Sequence, residues 1–155
     1  MWWRLRRSQY EKQKGSGNKR AFHRIISSGA PTGVLAYAGR EPVGWCAIAP
    51  REAYSVLERS RVLARVDDQP VWSVTCFYIA RAWRRSGLTE KLLAAAIDYA
   101  RKHGAKMVEG YPIEPRSRSM PDVFAWTGFV SAFRRAGFKE VARRSATRPV
   151  MRREM

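Results

Sequence analysis

The chain has 155 residues, 45% of them hydrophobic, which suits one globular domain (1–155) with its own core. Lysine and arginine number 30 against 13 acidic residues, a formal net charge of +17 that favours anionic small molecules or polyanions as partners. Two cysteines, Cys46 and Cys76, are too few for a disulfide framework, and neither has a Cys or His beside it at metal-ligand spacing, so no metal is expected. No stretch approaches the roughly 18 apolar residues of a membrane span. The opening Met-Trp-Trp-Arg-Leu-Arg-Arg lacks the apolar core of a signal peptide, and a cytoplasmic location is expected.

Residues 1–17 read as an incomplete first strand (2–7) followed by a polar, flexible stretch ending in Gly15-Ser16-Gly17. Asn18 is placed to cap a helix carrying Ala21, Phe22, Ile25 and Ile26 on one face and stopping near Gly29. Residues 34–38 and 43–48 form a hairpin through Gly39-Arg40-Glu41-Pro42. Pro50 opens a helix over 50–60, with Ala53, Tyr54 and Leu57 on one face, before a charged connection over 61–70.

Residues 71–79 are rich in β-branched and aromatic side chains and read as one long strand. A basic loop, 81–87, follows. Leu88, Leu92, Ala95, Ala96 and Tyr99 then recur at helical spacing, and Gly104 supplies the stop. Residues 105–111 make a second strand, so strand, helix and strand define a parallel pair with a right-handed crossover. The proline-rich loop 112–121 is irregular. Residues 122–135 turn helical in their later half, with Phe129, Val130 and Phe133 inward and Gly137 as the stop. Residues 139–144 and 148–153 close the chain as a hairpin, with Pro149 confining the last strand to an edge open to dimer pairing. The order gives an α/β fold with a mixed sheet, antiparallel in its first half, with one central βαβ crossover.

The strand–loop–helix unit 71–103 is a device for holding phosphate. Amides of the loop, and of the helix start at Leu88 and Thr89, converge on one place that favours an anion. Gly87 lets the backbone approach closely, and Arg84 and Arg85 add charge at the rim beside Ser86.

Arg84-Arg85-Ser86-Gly87-Leu88-Thr89, after Phe77-Tyr78-Ile79 and before Leu92-Leu93, resembles the acetyl-CoA signature of GNAT-type N-acetyltransferases. Ala132-Phe133-Arg134-Arg135-Ala136-Gly137-Phe138 is similar to that family's late helix and Gly-Phe turn. The resemblance implies an acetyl-CoA-dependent N-acetyltransferase that uses direct attack in a ternary complex with a primary amine acceptor. It puts the CoA diphosphate on the loop and the pantetheine arm along Phe77, Tyr78 and Ile79, with the late helix flanking the arm. Phe133 and Arg134 then fall on the cofactor side. Thr89 stands where the family has Gly or Ala; its hydroxyl bonds a phosphate oxygen or its methyl crowds the loop.

Transfer also needs an oxyanion donor, which the resemblance puts at a backbone N–H near Ile79, and a route for protons. Residues 71–79 hold no acid, so Glu109, on the neighbouring parallel strand, is the candidate base; its other reading is an ion pair with one of the many arginines. Phe133 falls where the family often carries a Tyr proton donor, leaving Tyr111 as the candidate acid or else a core aromatic. Neither His23 nor His103 accompanies Cys76, which disfavours a cysteine nucleophile. Trp45, Trp83, Tyr111 and Trp126 are candidates to line the acceptor pocket, with Arg116 and Arg118 on the loop beside it.

Two rival readings stand beside acyl transfer. Residues 1–24 hold eight basic residues and one acid, and 134–155 eight and two, which on one continuous face would bind nucleic acid. The missing strand acid and Phe133 leave room for a module that binds acetyl-CoA without transferring the group.

Overall fold

The computed structural model describes residues 1–115 and 122–155. Two helices open the chain, α1 (Arg7–Lys12) and α2 (Ser16–Ser27). Residues 2–7 are therefore not a strand, and the stretch expected to be flexible is largely helical. Trp3 explains the anchoring, for its side chain is buried against Trp126, their rings 5.4 Å apart. Gly15, with φ 81°, occupies the cap of α2, one turn before the expected start; Asn18 lies buried inside the helix, its amide donating to the Tyr10 carbonyl at 3.0 Å.

Strands β1 (Val34–Ala38) and β2 (Glu41–Pro50) form the expected hairpin. The helix expected over 50–60 is broken into a 3-10 turn (Arg51–Ala53) and a single α turn, α3 (Ser55–Glu58). Tyr54 between them has φ −116° and ψ 79°, outside the helical region. The central strand β3 (Trp72–Ile79), a 3-10 turn (Arg81–Trp83), helix α4 (Leu88–Lys102) and strand β4 (Met107–Gly110) make the crossover, β3 and β4 running parallel. On α4 the buried stripe is Leu92, Leu93, Ala96, Ile97 and Ala100, and Ala95 faces solvent. A 3-10 segment (Asp122–Thr127), helix α5 (Val130–Arg135) and strands β5 (Lys139–Arg143) and β6 (Pro149–Glu154) complete the chain.

The six strands lie in the order β1-β2-β3-β4-β6-β5, a mixed sheet matching the expected α/β architecture. The last strand is not an edge: β6 is inserted between β4 and β5, antiparallel to both. Pro149 is accommodated as its first residue, paired with Arg143 where the ladder ends. The dimer edge expected at 149–153 is thus already occupied, and the free edges are β1 and β5.

Each face of the sheet buries one apolar cluster. On one side α4 and α5 pack onto Cys46, Ile48, Val74, Phe77, Val108 and Met151; on the other, Trp3, Tyr54, Leu57 and Leu63 cover Ala49, Tyr111 and Val150. Fully burying a Leu or Ile contributes roughly 1.5–3 kcal/mol, so Leu92, Leu93 and Ile97 alone hold α4 firmly in place. Phe133 is fully buried and Val130 nearly so, but Phe129, expected inward, is 37% exposed.

Candidate active site

Two features of β3 create the site. First, its pairing with β4 stops at Val74 and Gly110, although β3 runs on to Ile79. Pro112, which has no N–H to donate, follows soon after, and Ile113 instead bridges to Phe129. Residues 75–79 therefore keep β2 on one side and lose their strand neighbour on the other. Phe133 fills the base of the splay. It packs edge-on to Phe77, centroids 6.2 Å apart, and lies so close over Gly110 that any Cβ there would overlap its ring. Second, the β2–β3 register shifts between Ala47↔Cys76 and Ile48↔Val74, leaving Thr75 as a bulge. The bulge turns two consecutive side chains, Thr75 and Cys76, toward one cavity.

The splay opens onto a cleft of about 350 Å³. Phe77, Tyr78, Ile79, Arg84, Arg85 and Thr89 line it, bringing together six residues that the sequence assigned to CoA. Ala125, Trp126, Gly128 and Phe129 form its other wall, which the sequence had not assigned to CoA. At the cleft's rim Gly87 has φ 77° and Arg85 φ 62°, the one non-glycine residue with positive φ among those described. Alternating left-handed residues tilt successive amides into one concavity, an anion-binding nest. The first-turn N–H groups of α4, at Leu88 and Thr89, have no carbonyl a turn earlier to bond. Ser86 is spent locally, its hydroxyl donating to the Trp83 carbonyl at 2.6 Å. Strain at a non-glycine left-handed residue costs of order 1–3 kcal/mol and is a mark of ligand-clamping loops. The basic loop thus fits a diphosphate.

Four residues land elsewhere than expected. Phe133 belongs to the core beneath the cleft. Arg134 lies outside it, exposed and paired with Glu114 at 3.5 Å. Glu109 and Tyr111 lie inside the core and not on the cleft wall. The Glu109 carboxylate is 0% exposed; one oxygen accepts from Arg51 Nη1 (2.8 Å) and the Tyr111 hydroxyl, the other from Arg152 Nε (2.7 Å). Arg51, 1% exposed, also donates to Glu58 (2.9 Å), to the Tyr111 hydroxyl (2.7 Å) and to the Leu63 carbonyl (2.7 Å). Arg152 reaches on to Asp67 at 2.6 Å, and Ser73 shares a bond with Tyr111 at 2.9 Å. Burial first, and the Glu109 charge second, hold the Tyr111 phenol well above its usual pKa. The lattice ties β4 to β6 and to the 3-10 turn after β2 with every carboxylate oxygen of Glu109 engaged.

A second cavity, about 300 Å³, adjoins the cleft at Trp126, which lines both. Trp45 lines it too, whereas Trp83 lines neither cavity. Arg116 and Arg118 lie outside the described residues. Trp2, Trp3, Tyr10 and Phe22 from the N-terminal segment close it over Thr75 and Cys76, a wall that the reading of 2–7 as a strand concealed. Burial pushes the Cys76 thiol up to about 11, keeping it protonated and a poor nucleophile, as the absence of a neighbouring His implied. Among the described residues no cluster of His, Cys, Asp and Glu could hold a metal. No helix of the described residues is long and apolar enough to cross a membrane.

A mixed sheet splayed beside an anion-binding helix start, with a cleft along the freed strand, suits an extended ligand that carries phosphate. The acetyltransferase (GNAT) family model matches residues 1–121, and the chain belongs to that family of acyltransferase enzymes, which use acetyl-CoA. Its fold is similar to the ribosomal-protein-alanine N-acetyltransferase of Brucella melitensis, at 16% identity and a TM-score of 0.57, with 89% of this chain and 76% of that one covered. It is similar too to the PaiA N-acetyltransferase of Thermoplasma acidophilum, solved with coenzyme A, at 15% identity and a TM-score of 0.56, with 96% and 77% covered. The Ard1 protein of Thermoplasma volcanium aligns at 14% identity and a TM-score of 0.54, with 88% and 77% covered. No protein of curated function matches the chain by sequence.

Proposed function

We propose that the protein transfers the acetyl group of acetyl-CoA directly to a primary amine within a ternary complex. The observation that carries this reading is the junction of the two cavities at Trp126, beside the end of β3. Acetyl-CoA would lie in the cleft, its pantetheine arm meeting the unpaired backbone of 75–79 and its diphosphate the Arg85–Gly87 nest. The amine would approach from the second cavity. Its nitrogen bonds to the carbonyl carbon, a backbone N–H near Ile79 meets the developing oxyanion, and the C–S bond breaks to release CoA. The amine loses one proton overall, and the thiolate gains one.

Glu109 and Tyr111 act in this reading as positioning residues. A carboxylate fully buried in the core, held by two guanidiniums and a phenol, is out of reach of an incoming amine. Their lattice fixes β4 against β6 and so holds the splay open. Glu109→Gln should leave the pH profile of kcat/KM unchanged in whatever fraction folds; a lost acidic limb would restore Glu109 as the base.

The C-terminal arm lends the nucleic-acid reading less support: of its eight basic residues, Arg134, Arg135, Arg143 and Arg152 each pair with a carboxylate, while Arg144 and Arg153 donate to main-chain carbonyls. Acetyl-CoA with an amine panel, scored by free thiol release, tests the proposal; acetyl-CoA binding without release for any amine would favour the non-transferring module instead.

A further inference from the structure

The positive charge of the molecule is engaged unevenly, and the N-terminal helix pair is where it is left free. Residues 1–24 hold eight basic residues against one acid, Glu11. Lys12, Lys14, Lys19, Arg20 and Arg24 are all exposed, and none of these side chains makes a hydrogen bond or ion pair among the described residues. Arg7 has only Glu11, at 4.0 Å, with both side chains largely in solvent. Residues 116–124 do not offset this excess, for they hold one acid, Asp122, against Arg116 and Arg118. In the C-terminal arm, by contrast, carboxylates and carbonyls take up most of the arginines.

Helix α2 gathers its charge on one side. Lys19, Arg20, His23 and Arg24 follow at i, i+1, i+4 and i+5, a single stripe along the exposed surface. The other side holds Asn18, Ala21, Phe22 and Ile25, buried or half-buried, with Phe22 edge-on to Trp45 at 5.9 Å. Asn18 ties the helix to α1 through the Tyr10 carbonyl, and Lys12 and Lys14 lie at the turn between the two helices. Neither helix has an acid in its first turn, so Glu11 is the pair's only internal offset.

The kind of partner follows from what this surface lacks. Protein interfaces are built round apolar anchors, and α1 and α2 expose one large hydrophobic residue, Ile26. A helix that lies on a membrane needs a free apolar face, and α2 has committed its own to the sheet at Trp45. Solvated cations without an apolar centre match a partner that repeats its charge at regular intervals, a phosphodiester backbone. Side chains at i and i+4 start about 5–6 Å apart, so neighbouring heads can meet separate phosphates. We infer that the exposed face of α1 and α2 binds nucleic acid through its phosphates, without regard to sequence. This inference is independent of the acyl-transfer reading, whose phosphate site is the Arg85–Gly87 nest.

The test follows fluorescence anisotropy of labelled RNA and DNA single strands of one mixed sequence, titrated with the full chain at several salt concentrations. Binding of at least one strand is expected, and the tighter of the two identifies the backbone it prefers. Lys12→Gln, Lys19→Gln, Arg20→Gln and Arg24→Gln combined should weaken binding at least tenfold. At about 0.7 in log–log slope for each lost phosphate contact on a single strand, the salt dependence should flatten by about 2.8. Arg61→Gln, Lys102→Gln, Lys106→Gln and Lys139→Gln combined remove the same charge from exposed positions elsewhere and should cost less than threefold. Equal losses would show attraction by net charge alone and overturn the placement. So would binding of neither strand, or tighter binding of polyglutamate or of phosphatidylglycerol vesicles at the same salt. Saturating acetyl-CoA should leave the strand bound; displacement would move the contact to the Arg85–Gly87 nest and contradict the inference. Lysine acylation of the wild-type protein by an N-hydroxysuccinimide ester, read by mass spectrometry, needs no substitution. A bound strand should protect Lys12, Lys14 and Lys19 at least threefold more than Lys102, Lys106 and Lys139; uniform protection contradicts the face even if a variant fails to fold.

Discussion

Glu109 and Tyr54 are equally deep, 0% and 1% exposed, yet their polar atoms are treated in opposite ways. Around Glu109 two guanidiniums and a phenol satisfy every oxygen. Around Tyr54 the phenol is met only by the neutral Thr75 hydroxyl and by Arg4. The first arrangement is what a buried charge needs to survive in a low-dielectric interior. The second suffices for a neutral group, whose burial costs far less than that of a charge. Depth alone therefore does not decide how fully a polar group must be bonded; charge does.

The largest expected effect breaks the saturated side. Glu109→Gln leaves Arg51 and Arg152 without their buried counter-charge and should cost about 3–5 kcal/mol, read from urea unfolding. A loss below about 1 kcal/mol would mean that the lattice is not a structural unit. Gly110→Ala comes next: a Cβ would overlap Phe133, and overpacking of this kind costs about 1–3 kcal/mol. It should also narrow the splay and weaken acetyl-CoA binding, which calorimetry would detect. Gly87→Val places a β-branched residue at φ 77°, costing roughly 1–2 kcal/mol of stability. Its Cβ meets open space, so the strain is conformational, and the rise in melting temperature with acetyl-CoA should vanish.

The smallest effect sharpens the neutral side. Burial raises the Tyr54 phenol from 10.0 to about 12, with Arg4 and Thr75 only tempering the rise. The folded protein thus holds this proton where the unfolded chain has released it. The contribution is whole below pH 10 and falls away as the pH climbs toward about 12. Tyr54→Phe should cost about 1 kcal/mol at pH 7, the worth of one hydrogen bond, and flatten the alkaline fall in stability. An unchanged alkaline slope would place that fall elsewhere, with Tyr111 the first group to examine.

The two regions also differ in how far the sequence discloses them. The β3–loop–α4 unit was legible because its signals are local: β-branched residues, a glycine at the turn, and a helical stripe within 71–103. Local patterns also located the β1–β2 hairpin and the parallel partner of β3. The lattice was not legible, because Arg51 and Glu109 stand 58 residues apart and no local pattern joins them. Inserting β6 between β4 and β5 was hidden likewise, since Pro149 reads as an edge residue until its place at the first ladder position is seen. The wall of the second cavity was missed for a third reason. Trp2 and Trp3 suit a strand by propensity, and only the packing of Trp3 on Trp126 and of Trp2 on Tyr10 places them over that cavity.

Titration of the wild-type protein with acetyl-CoA in a calorimeter tests the central claim most directly. The expected result is saturable binding at one site, abolished in Gly87→Val. Absence of binding at millimolar acetyl-CoA, or full binding by Gly87→Val, would contradict the placement of the acyl donor in the β3 cleft.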